Sequence, residues 1–90
     1  MLEIEKKDNV LIVRGEARLK NVEDLFQKIF DFRDDQDIRE VSLAELEDID
    51  VAGAQILVSY LKTSPEIVLC GANESLKRKF EYTGISQFIR

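Results

Sequence analysis

The chain has 90 residues, a formal net charge of −5, 44% apolar and 34% charged residues, and no histidine. An acidic chain lacks the positive field that general nucleic-acid binding requires, and no apolar run approaches the ~20 residues needed to span a bilayer. Without histidine, the commonest general base, the usual Ser or Cys triads and most zinc sites are removed.

One small domain covering residues 1–90 is therefore expected, with a modest core. The start, MLEIEKKDN, has no basic segment followed by an apolar stretch, so it does not read as a signal peptide. The lone Cys70 cannot form an internal disulfide and sits in an apolar run, which predicts a buried thiol. These features predict a cytoplasmic protein.

In chain order, residues 2–6 alternate apolar and charged, as a half-buried strand does. Asp8-Asn9 signals a turn. Residues 10–13 form a continuous apolar run ended by Gly15, so an antiparallel hairpin is predicted. Asn21 is placed to cap a helix in which Val22, Leu25, Phe26, Ile29 and Phe30 form an apolar stripe. The polar residues 33–37 close it. Residues 38–44 return to strand character through Val41 and Leu43.

Residues 47–62, EDIDVAGAQILVSYLK, are the stretch around which the rest is organised. Asp50 stands where an N-cap belongs, accepting from first-turn amides at the positive end of the helix. On a helical wheel Ala54, Leu57, Val58 and Leu61 share a core-facing side, while Ala52, Ile56, Ser59 and Thr63 lie opposite. Pro65 suits the start of a further strand. Residues 67–70 are apolar without interruption, which predicts a strand covered on both faces and internal to the sheet, ended by Gly71. Asn73 can cap a last helix carrying Leu76 and Phe80, with Gly84 as its stop and Ile85, Phe88 and Ile89 as an apolar tail. The cluster Lys77-Arg78-Lys79 reads as a solvated helix face. The predicted fold is α/β: a mixed four- to five-stranded sheet with an N-terminal hairpin and helices packed on it.

The sequence holds no GxxxxGK[ST] or GxGxxG loop. Glu45, Glu47, Asp48 and Asp50 crowd one segment, yet their spacing matches no calcium loop. No metal, cofactor or catalytic residue is assigned.

The run Ile49-Asp50-Val51-Ala52-Gly53-Ala54-Gln55-Ile56-Leu57, preceded by Val41-Ser42-Leu43, resembles the STAS family, the domain of anti-sigma-factor antagonists and sulfate-transporter tails. Gly71-Ala72-Asn73 and the segment from Leu76 to Ile85 are similar to it as well, so the resemblance spans nearly the whole chain. It implies a non-enzymatic module that binds a partner protein, in bacteria often a serine-kinase-like, ATP-using anti-sigma factor. Alternatively, it implies a small subunit beside the ATPase of a lipid-transporting ABC complex or beside chemotaxis proteins. A nucleotide-binding protein or small enzyme is the remote alternative. The resemblance carries Asp50 and Gly53 onto the motif aspartate and glycine. Where these antagonists carry the phosphorylated serine, this chain has Ala52, the preceding hydroxyl position is Val51, and the aspartate of the preceding strand corresponds to Ser42. The expected partner-binding surface comprises Asp50, Val51, Ala52, Gly53, Ile56, Ser59 and Tyr60, without a phosphorylation site at Ala52. No nucleic-acid partner or membrane insertion is expected, and the oligomeric state is left between a monomer and a weak dimer.

Overall fold

A computed structural model describes residues 2–83. The order of elements is β1 (Leu2–Lys7), β2 (Val10–Ala17), a 3-10 turn (Leu19–Asn21), α1 (Val22–Phe30), β3 (Glu40–Ser42), β4 (Leu46–Ile49), α2 (Val51–Thr63), β5 (Val68–Cys70) and α3 (Glu74–Thr83). β1 and β2 form the predicted antiparallel hairpin, closed across Lys7 and Val10. Its turn places Asp8 at φ 56°, a left-handed conformation that aspartate tolerates better than most residues.

The sheet runs β1-β2-β3-β5, and β4 also pairs with β2. β3 lies parallel to residues 10–12 and β4 parallel to residues 15–17, so two short strands serve one edge of β2 in succession. The register shifts between Gly15 and Glu16, where Gly15 has φ 94°. Gly15 thus makes a bulge inside β2 rather than ending it: the left-handed residue bends the strand and lets it continue to Ala17.

Three sequence expectations change here. The strand expected over residues 38–44 is only Glu40–Ser42, and the acidic segment beyond it supplies β4, whose Leu46 and Ile49 are buried while Glu47 is exposed. β5 is not internal: among the described residues it pairs only with β3 and closes the sheet. Nor is it covered on both faces. Leu69 is fully buried, whereas Val68 and Cys70 are half-buried, because α1, α2 and α3 send their apolar sides into one core on one sheet face. Cys70 is therefore not a core thiol. It donates to Glu40 at 3.5 Å, and burial followed by that carboxylate raises its pKa.

The free edge of β1 is guarded. Lys28 from α1 donates to the Leu2 carbonyl at 2.8 Å, and Lys6 pairs with Asp35 at 2.7 Å. Placing lysines and a covering loop on an edge strand blocks pairing with another chain.

In α1, Leu25 and Ile29 are buried, but Phe26 is 48% exposed and stacks on Phe30. Asn21 precedes α1 without capping it through its side chain. Its amide turns back instead, accepting from the Arg18 amide and donating to the Glu16 carbonyl. Asn73 does cap α3, accepting from the Leu76 amide at 2.9 Å, and Leu76 and Phe80 are buried as expected. The expected stop at Gly84 and the tail of Ile85, Phe88 and Ile89 lie outside the described residues.

Candidate functional site

α2 starts where Asp50 is extended and its carboxylate becomes available to free amides. One oxygen accepts from Gly53 N at 3.0 Å, the predicted N-cap bond. The other accepts from Leu19 N at 2.8 Å, so the same side chain fastens the 3-10 turn to the first turn of α2. The Asp50 amide donates to the Ala17 carbonyl at 3.1 Å. Sequence reasoning missed Leu19, because a contact over 31 residues leaves no local signal.

Burial opposes ionisation of Asp50, but the amides of Gly53 and Leu19, with Arg18 nearby, outweigh it and hold its pKa below the usual 3.8. A depressed carboxylate contributes stability above its unfolded pKa and loses it as pH falls through the folded one. Asp50→Ala should therefore cost about 1–2 kcal/mol at neutral pH, within the range of lost N-caps. The gap between wild type and variant in urea midpoints should narrow below pH 4. A gap that stays constant down to pH 2.5 would show that the charge of Asp50 contributes nothing.

Around this turn, Lys79 of α3 donates to Asp48 of β4, and Arg18 lies 3.7 Å from both Asp48 and Glu16. Lys79 is the main cause of a lowered Asp48 pKa. Glu45 pairs with Arg14 at 2.8 Å. Glu45, Asp48 and Asp50 are thus shared among different cations and amides. Among the described residues, no three metal-ligating side chains gather at one point.

Val51 is 53% exposed and Leu19 70% exposed, with Ala52 half-buried between Val51 and the buried Gly53. Gln55 and Ser59 continue the exposed side of α2, and Ser59 donates to the Gln55 carbonyl. This surface is apolar at the start of the helix and uncharged along its first two turns.

Three residues expected on it behave differently. Gly53 is buried; a Cβ there would stand 1.9 Å from the Ala17 carbonyl oxygen. It lets the helix meet the end of β2 and offers nothing to a partner. Tyr60 is fully buried, edge-on to Phe30 at 6.0 Å. Ile56 is half-buried and packs against the core, so Ile56→Asp would disturb folding as well as binding. One rotation explains all of this. The buried residues are Gly53, Ala54, Leu57, Tyr60 and Leu61, an arc turned by roughly 50° from the stripe read from the sequence, at 100° per residue. α2 lies between α1 and α3. Ile56 and Tyr60 meet the α1 flank, and Val58 is left half-buried on the other.

A mixed sheet with an N-terminal hairpin and its described helices packed into one core is a fold shared with solved anti-sigma-factor antagonists. The structure of a putative anti-sigma factor antagonist from Thermotoga maritima superposes with a TM-score of 0.76 at 21% identity, over 99% of this chain and 83% of that one. An anti-sigma factor antagonist from Mycobacterium paratuberculosis gives 0.75 at 19%, over 99% and 81%. The phosphorylated form of the Bacillus cell fate determinant SpoIIAA gives 0.66 at 14%, over 100% and 89%. At these identities the likeness is one of fold. The sequence profile of the STAS domain matches residues 1–90: the chain belongs to the STAS domain family. No curated protein sequence matches it. No helix among the described residues is long and apolar enough to cross a membrane.

Proposed function

We propose that this chain is a protein-binding regulator of the anti-sigma-factor-antagonist kind, docking a kinase-like anti-sigma factor through the first turn of α2 and the adjoining 3-10 turn. The observation that carries this reading is the pairing of exposed Val51 and Leu19 on two segments held by one carboxylate, that of Asp50. An apolar surface fixed in place before binding loses less entropy on docking than a mobile loop. Asp50 acts as the fastener, Val51 and Ala52 as contact residues, and Ser59 borders them. Gly53 and Tyr60 act only through folding.

Ala52 has no hydroxyl, so the on–off chemistry of a phosphoserine at this position is absent. A phosphate would bring about −1.5 to −2 charges to the docking surface. Without it the protein stays competent to bind, and control passes to its abundance or to its partner.

The test mimics the missing charge. Ala52→Glu places a carboxylate at a helix N-terminus, which the helix tolerates, so the variant should fold with an unchanged melting temperature. Its affinity for the anti-sigma factor of the native host, measured by calorimetry, should fall at least tenfold, a loss of about 1.4 kcal/mol. Equal affinities would remove the first turn of α2 from the docking surface.

A further inference from the structure

A second feature lies on the outer side of the helical layer, apart from the first turn of α2. Val22, Phe26 and Ile56 line a shallow apolar groove between α1 and α2, with Glu23 and Gln27 at its rim. Phe26 is about half exposed although it belongs to the apolar stripe of α1. Glu23 is exposed and has no salt-bridge partner among the described residues; Asp24, beside it, pairs with Lys28.

On α3 the complementary features occur together. Tyr82 is 87% exposed, the most exposed large hydrophobic side chain among the described residues. Arg78 lies one turn before it at i, i+4 spacing, on the same side of the helix. It too is exposed and free of salt bridges among the described residues, while its neighbours Lys77 and Lys79 pair with Glu74 and Asp48. An aromatic side chain with a cation one turn away fits an apolar groove with a carboxylate at its rim, since apolar burial and opposite charges then act at once.

The layer order allows both contacts to form together. α2 packs against α1 on one side and α3 on the other. A two-fold axis along α2, between two helical layers facing each other, brings α1 of each copy over α3 of the other. The surface between them is the outer side of α2, where Gln55 and Ser59 carry no charge and Lys62 carries one.

We propose that the chain self-associates as a two-fold dimer in which Tyr82 of each copy fills the Val22–Phe26–Ile56 groove of the other and Arg78 pairs with Glu23 across the interface. The contact is reciprocal, so it closes at two copies rather than growing into a filament. The interface covers the outer side of α2, which also carries Val51 and Ser59 of the proposed docking surface, so dimer and docking partner exclude each other; sedimentation of the chain alone tests the dimer without that partner.

Sedimentation equilibrium of the whole chain tests it, with E23R, R78E, Y82S and an equimolar mixture of E23R and R78E. All three substitutions fall on exposed positions, and unchanged circular dichroism melts verify folding. The wild type should approach the dimer mass as its concentration rises toward about 1 mM, the weak end of specific association. Y82S, and E23R or R78E alone, should each weaken association at least about tenfold, the single charge changes by setting like charges opposite each other. The mixture should restore it, because every cross-contact between E23R and R78E chains is again an opposite-charge pair. A wild type that stays monomeric throughout, a Y82S variant that associates like wild type, or a mixture no stronger than its components would each overturn the dimer.

Discussion

Gly53→Ala should destabilise the domain by about 3 kcal/mol or more, although alanine is the better helix former. In an open helix the exchange would gain up to about 1 kcal/mol. Here a Cβ would stand 1.9 Å from the Ala17 carbonyl oxygen, 2.6 Å from its carbon and 2.9 Å from the Ala17 side chain. The nearest atoms are backbone in the bulged end of β2, which no rotamer change can move aside. α2 would have to retreat from the sheet, stretching the bond from the Asp50 amide to the same carbonyl. Overpacking costs typically 1–3 kcal/mol where side chains can yield, and a backbone clash sits at or above the top of that range. For a domain of this size such a loss lowers the melting temperature by more than about 10 °C. A melting temperature equal to or above that of the wild type would show that α2 and β2 do not approach this closely.

Leu57→Ala should cost about 2–5 kcal/mol, the range for buried leucine truncations. Leu57 is fully buried at the centre of the inward arc of α2, between Ala54 and Leu61. The loss is a large part of the roughly 5–15 kcal/mol that holds an ordinary domain together. Ser59→Ala, two residues along on the exposed side, should stay within about 0.5 kcal/mol. Guanidinium unfolding of the pair reads the orientation of the helix directly, and equal midpoints would contradict it.

The sequence was legible where local patterns decide. The hairpin, the three helices and the caps at Asp50 and Asn73 follow from alternation, helical periodicity and side-chain oxygens placed before apolar runs. It was misleading where tertiary neighbours decide. The inward arc of α2 depends on having α1 on one flank and α3 on the other, so an isolated wheel centred it on Ala54 and left Tyr60 outside. β4 was hidden because Glu47, Asp48 and Asp50 look like loop composition; only Leu46 and Ile49 face the core, and β2 supplies the rest of the pairing. Gly15 reads as a terminator when only its own strand is considered, and becomes a bulge once β3 and β4 must share that strand's edge. At the candidate site, Asp50, Val51 and Ala52 could be found from the helix start alone. Leu19 could not, since its place there is fixed by a hydrogen bond to a residue far along the chain.

The guarded edge of β1 bears on how the chain survives its own synthesis. The groups that close that edge, Lys6, Lys28 and Asp35, all precede β3 in the sequence. The hairpin and its cover are therefore complete in the growing polypeptide before the middle of the sheet has been made. Unpaired strand edges on nascent intermediates are a main route to aggregation. Here the residues that seal one outer boundary of the sheet are synthesised first, and β3, β4 and β5, which lie on the opposite side of β2, follow them in the chain.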